Sequence, residues 1–328
     1  MMALPELPLA PGEIREILEA AEADSLLVGG QALALWAELY EVSIPEELSQ
    51  GISGDVDFIG SVSAANALGE KLNSRERTGI GSKWKLYRVA PEDATPQTAK
   101  LGMTVPGLGV KEIDFLGSIV GLDTKDARDD AVEVTLSSGK TIGVLHPLDV
   151  LRSRLHNLAS LASKRDEHGY AQARLAISVV TAFLRQQAAE APKRELLDHV
   201  KEIREIALDK SLAKVYFECG FDVLSCVPVE QIEDENFRQI RWPQILDEVR
   251  EARVKQAKRS VRSFVCVGPV DMIEPIQHSW FPFSISILHH NAVSRPPGRE
   301  KAPSAAPRLE NRPRIKLQER RSRGYPLP

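Results

Sequence analysis

Asp55-Val56-Asp57-Phe58-Ile59 reads as a short β-strand that gives two alternate positions to carboxylates. Residues two apart on a strand point the same way, so Asp55 and Asp57 share one face of an otherwise apolar stretch. Two like charges side by side repel, and a bound cation with oxygen-only coordination offsets that repulsion best. The pattern therefore predicts Mg²⁺ or Mn²⁺ between Asp55 and Asp57.

Upstream, Leu26-Leu27-Val28-Gly29-Gly30-Gln31 is an apolar strand ending in paired glycines and running straight into a helical pattern. Glycines at that junction let backbone approach phosphate oxygens, and the helix N-terminus supplies free N–H groups and a favourable dipole. Gly29, Gly30 and Gln31 are thus candidates for binding phosphate groups. Downstream, Lys111-Glu112-Ile113-Asp114-Phe115-Leu116 reads as a second strand carrying an acid among apolar residues. Asp114 is the candidate third carboxylate. Glu112 shares its face and takes its place if the register differs.

A glycine pair, an Asp-x-Asp and a later lone Asp, in that order, resemble the nucleotidyltransferase superfamily that includes DNA polymerase β. The resemblance covers residues 11 to 262. It implies a small mixed-sheet domain in which Asp55, Asp57 and Asp114 are catalytic and hold the metal ions. The connection Glu41 to Gly54 is longer than in the smallest members. A second stretch, His146-Pro147-Leu148-Asp149-Val150-Leu151-Arg152-Ser153-Arg154-Leu155-His156-Asn157-Leu158, followed by Lys164-Arg165-Asp166 and Gln172, looks like the helical half of bacterial nucleotidyltransferases related to abortive-infection and type IV toxin–antitoxin toxins. Arg152 with Asn157, or Arg154 with Leu158, lie about a turn apart and can face the cleft. Lys164 and Arg165 are the candidate cations for a triphosphate or a nucleic-acid backbone. The resemblance implies a metal-dependent transferase moving a nucleoside monophosphate from an NTP to a hydroxyl on RNA, protein or a small molecule, as the toxin partnered by an antitoxin protein. The alternative is a degenerate copy that only binds nucleotide or nucleic acid.

The rest of the chain frames this core. A chain of 328 residues, 43% hydrophobic and 27% charged, has room for two modest domains. Its net charge of −4 makes no global case for nucleic acid. Cys219, Cys226 and Cys266 lack the spacing of a disulfide framework or zinc site and read as reduced thiols. No run approaches a membrane span and the first residues lack a signal peptide's pattern, so the expectation is a cytoplasmic protein with no membrane partner.

Helices are expected over 11–23, 31–40 and 64–72, with Trp36 in the core rather than serving as a stacking platform. A half-buried strand is expected over 83–89, its outward Lys83, Lys85 and Arg88 able to attract a polyanion. The Pro-, Thr- and Gly-rich stretch 91–109 reads as loop. Residues 131–136 and 141–145 form a hairpin. From His146 the period turns helical, through 148–161, 170–187, 193–207, 209–218 and 244–262. The expected organisation is α/β (α+β): a nucleotidyltransferase domain over 1–145, an α-helical domain over 146–262, and a Pro/Arg-rich tail over 263–328. Residues 291–328 carry ten basic and three acidic side chains, a composition that favours disorder.

Overall fold

The computed structural model describes residues 4–75, 83–90, 92, 93 and 95–265, with side chains as far as 256. By its contacts the described chain divides into two units, the first running to Lys258 and the second beginning at Arg259. The sheet and every side chain discussed below belong to the first unit. Apart from its first three residues, the tail expected over 263–328 lies outside the described residues.

In chain order the elements are α1 (Pro11–Ala20), β1 (Leu26–Val28), α2 (Gly29–Leu39), β2 (Val56–Ile59), α3 (Val62–Ser74), β3 (Lys85–Arg88), β4 (Gln97–Val105), β5 (Gly109–Leu116), α4 (Thr124–Asp129), β6 (Val132–Thr135) and β7 (Thr141–Val144), then α5 (Pro147–Ser160), α6 (Glu167–Glu190), α7 (Lys193–Leu208), α8 (Ala213–Cys219) and α9 (Trp242–Val265). The described strands form one mixed sheet in the order β3-β4-β5-β2-β1-β7-β6. Two of its pairings are parallel, β2 with β5 and β1 with β7. The change from strand to helix falls at His146, the N-cap of α5. A single cluster of buried side chains runs from the sheet into the helices.

Alternation decides which face of the sheet is covered. Val56 and Phe58 on β2, Leu101 on β4, and Ile113 and Phe115 on β5 are all buried, as are Ala65, Leu68 and Leu72 of α3. The rings of Phe58 and Phe115 lie 5.5 Å apart across the β2–β5 pair. Full burial of such a side chain contributes roughly 1.5–3 kcal/mol, enough to fix the register, because a slip of one residue would send the set to solvent. The same alternation sets Asp57 and Asp114 on the opposite, open face. Trp36 is fully buried, and its indole N–H donates to the Leu145 carbonyl at 2.8 Å, as expected for a core residue.

One expectation fails. The stretch 91–109 is not loop: it contains the nine-residue β4, which returns through Pro106-Gly107-Leu108 into β5. Ala99, Leu101 and Met103 are buried at every second position, the signature of a strand. Flanking prolines and Gly102 mask that period, and Pro106-Gly107, with Gly107 at φ +75°, is the turn signal of a hairpin. The short α4, capped by Asp123, had no counterpart among the expected elements.

Candidate active site

The parallel pairing of β2 with β5 sets Asp57 directly opposite Asp114. Asp55 stands just before β2, and one of its carboxylate oxygens accepts from the Ser53 hydroxyl. Asp57 and Asp114 are therefore neighbours across adjacent strands, with Asp55 one residue before β2. Glu112 lies two residues along β5 and is ion-paired to Lys100 at 2.6 Å.

Gly29 opens α2 against this cluster. It takes φ +69°, and a Cβ there would stand 2.1 Å from Asp57 Oδ2, so both its backbone angle and the nearness of the carboxylate exclude a side chain. A Cβ at Gly30 would meet Ser53 at 2.3 Å. The N-cap residue is Val28, whose side chain cannot cap α2, so the helix starts without a side-chain cap beside the carboxylates. The Gln31 carboxamide is spent on structure: it donates to the Ser53 carbonyl at 2.9 Å and holds the turn that leads into Asp55.

β4, read from sequence as loop, supplies two side chains that sequence reasoning missed. Gln97 donates to Asp114 Oδ2 at 2.8 Å, and Lys100 Nζ lies 3.6 Å from Asp114 Oδ1. The pairing skips a residue between Gln97 and Ala99, so a bulge at Thr98 re-aims the strand. Without that bulge Gln97 would share the buried face of Ala99 and Leu101.

The helical half reaches the same place. Arg154 of α5 donates to the Gln172 carboxamide oxygen at 3.1 Å, while Gln172 and His168 meet the Ile52 carbonyl at 2.6 and 3.1 Å. Arg154 Nε is buried without a hydrogen-bond partner among the described residues. Arg152 instead acts on Asp149 and Glu202, away from the cluster. Lys164 is exposed and close enough to act on Asp57 electrostatically. Arg165 is committed elsewhere: its guanidinium donates to the Leu158 and Ala159 carbonyls at 2.7 and 2.5 Å and closes the end of α5. His156 pairs with Asp209 at 3.2 Å. Cys219 and Cys226 are free thiols.

Electrostatics mark Asp57 as the strained member. Burial, then the carboxylates of Asp55 and Asp114, push its pKa up to about 7 against the pull of Arg154 and Lys164. Asp114 is also raised, by burial first, with Lys100 and Gln97 opposing. Burial, with Glu112, Asp55 and Asp114, raises Glu6 as well. This arrangement fits a hard divalent cation in three respects: the donors are all carboxylate oxygens, a cation beside Asp57 would displace its proton to solvent and favour the charged form, and Asp114 Oδ1 is buried with no hydrogen-bond donor among the described residues. Among the described residues no three His, Cys, Asp or Glu side chains are drawn into a ready-made cage.

No family model matches the chain, and neither does any curated protein. Among solved structures it is similar to the polyadenylate synthase of Megavirus, with a TM-score of 0.34 and 10% identity, over 57% of this chain and 37% of that one. No helix among the described residues is long and apolar enough to cross a membrane.

Proposed function

We propose that the protein is a metal-dependent nucleotidyltransferase that moves a nucleoside monophosphate from an NTP to an acceptor hydroxyl. The observation that carries this is the register of Asp57 against Asp114 beside the uncapped, glycine-opened start of α2. Asp55, Asp57 and Asp114 would hold Mg²⁺ or Mn²⁺, which neutralises charge developing on the phosphoryl oxygens. The first N–H groups of α2 bind the β- and γ-phosphates, with Arg154 and Lys164 adding positive charge from the helical side. Asp114, fixed by Gln97, orients the acceptor hydroxyl and accepts its proton. That hydroxyl oxygen attacks the α-phosphorus, the α–β bridging P–O bond breaks, and pyrophosphate leaves. The sequence resemblance to toxin nucleotidyltransferases supports a toxin role with a protein antitoxin.

The test is to incubate the purified chain with each α-³²P-labelled NTP, Mg²⁺ and either total RNA or cell extract, and to follow the label. Transfer that disappears in Asp114→Asn supports the reading. If no acceptor is labelled with any NTP while Asp114→Asn binds nucleotide as before, the chain is a binding module.

A further inference from the structure

The register that joins Asp57 to Asp114 continues outward across the sheet. Asp114 is opposite Lys100 on β4, and Lys100 is opposite Tyr87 on β3, the edge strand. Residues directly opposite on neighbouring strands share a face, so one row on the open face reads Asp57, Asp114, Lys100, Tyr87. The next row reads Glu112, Gly102, Lys85. The first row thus passes from two carboxylates through Lys100, itself paired to Glu112, to an aromatic ring at the edge.

Tyr87 is 51% exposed, although it is among the largest apolar side chains on this face. Its ring lies over Gly102, where a Cβ would meet Tyr87 Cε2 at 2.9 Å. Glycine there lets the ring lie against the strand while about half of the side chain stays exposed. Lys85 is exposed beside it.

We infer that this edge, Tyr87 with the exposed Lys85, is the docking track for a single-stranded nucleic-acid acceptor, whose terminal hydroxyl lies at Asp114. The inference rests on the nucleotidyltransferase reading and names its acceptor. Charge and shape select this occupant. An exposed ring takes the face of any base, and the Lys85 ammonium group beside it takes a phosphate, the combination that holds single strands without sequence preference. Neighbouring strands are about 4.8 Å apart, so Tyr87 stands roughly 10 Å along the row from Asp114. That distance places a base one or two nucleotides back from the reacting end on the ring.

The test separates docking from transfer. Fluorescence anisotropy with end-labelled single-stranded 12-mers of RNA and DNA and a duplex control, using the full chain without NTP, should show single-strand binding. Tyr87→Leu still covers Gly102 but cannot stack, and should weaken that binding about tenfold, while Tyr87→Phe should keep it. Lys85→Glu should weaken it too, with the loss shrinking at higher salt. Binding of Mg²⁺–NTP should be unchanged in all three. Single-strand binding that Tyr87→Leu and Lys85→Glu leave intact overturns the track, as does preference for duplex or labelling of a protein or small molecule alone. A joint loss of oligonucleotide and NTP binding in Tyr87→Leu also overturns it, because the ring is then only the cover of Gly102. Absence of nucleotide transfer to any acceptor strikes the enzyme reading instead.

Discussion

On the open face of the sheet, Asp57 and Asp114 stand in register with their charges uncompensated by each other. Under the helices, His146 and His199 stack ring on ring at 5.5 Å, with Phe183 edge-on to both. Both sites take ionisable groups out of water and resolve the cost differently. Burial drives His146 down to about 3 and His199 down to about 4, so both rings are neutral and pack as aromatics. The nearest carboxylate oxygen to His199, on Glu202, is 3.9 Å away, and neither ring nitrogen of His199 has a hydrogen-bond partner among the described residues. Asp57, pushed up to about 7, escapes only in part at neutral pH, where about half of it still carries its charge. A protein keeps that conflict where a ligand relieves it, whereas the histidine pair needs no ligand at all.

Replacing the carboxylates tests the comparison hardest. Asp57→Asn should lose Mg²⁺-dependent NTP binding and turnover together. Asp114→Asn should keep most of the binding and lose at least ~10²-fold in rate. Neither should cost stability in metal-free buffer. Because the folded pKa of Asp57 is raised, the wild-type chain carries the penalty of its charge above about pH 7, and that penalty fades as pH falls toward 4. The melting temperature of Asp57→Asn should therefore exceed wild type by a few degrees at pH 8 and match it near pH 4. A lower melting temperature at pH 8 would make Asp57 a structural residue.

The histidine pair should behave in the opposite sense. With folded pKa values below the ordinary value, both rings are neutral in either state above about pH 6.5, and stability is lost as pH falls from there toward 4. His199→Leu removes the orphaned ring nitrogens at similar volume. Its melting temperature should stay near wild type at pH 8 and rise above it at pH 5, by an amount worth about 1–2 kcal/mol. A difference that is the same at both pH values would show that protonation plays no part. Asp149 and Glu202, raised to about 6 and about 7, pull the wild-type profile the other way, so the comparison must be made between variant and wild type.

Much of this contrast was legible in the sequence. Asp55, Asp57 and Asp114 were visible because carboxylates at alternate positions in apolar strands break a pattern that burial otherwise enforces. Gly29 was visible because a strand ending in two glycines before a helical period has few other uses. What escaped was everything on β4, since Thr98, Gly102 and the prolines at 96 and 106 interrupt its alternation, and with β4 went Gln97 and Lys100. The His146–Phe183–His199 stack also escaped, because it joins residues from three helices whose packing no local period encodes. Gln31 and Arg165 show a further limit. Their type and place suited a phosphate, yet both spend their donors on carbonyls of the chain.

Gln97 links the missed strand to the conflict. Gln97→Leu removes the hydrogen bond to Asp114 Oδ2 without changing any charge. Hydrogen bonds to charged groups are worth about 1.5–3 kcal/mol, and the partial exposure of the site argues for the low end. The expected outcome is about a tenfold fall in transfer rate with little change in NTP affinity. Single-turnover kinetics would read this, and an unchanged rate would free Asp114 from dependence on β4.

The smallest expected effects separate the two neighbouring cations. Lys164 is exposed and acts on Asp57 through space, so Lys164→Gln should weaken Mg²⁺–NTP binding only a few-fold, and less at higher salt, because surface charges are screened over about 8–10 Å. Its melting temperature should not move. Arg165 spends its guanidinium on the last carbonyls of α5. Removing it leaves those acceptors to water at a helix end, where capping interactions are worth about 0.5–2 kcal/mol. Arg165→Gln should therefore lower the melting temperature by a few degrees and leave NTP affinity where it was. Titration of each variant with nucleotide at two salt concentrations, alongside thermal melts, reads both quantities. If the two variants exchanged behaviours, the phosphates would lie against the end of α5 rather than over Asp57, and the site would have to be rebuilt around Arg165.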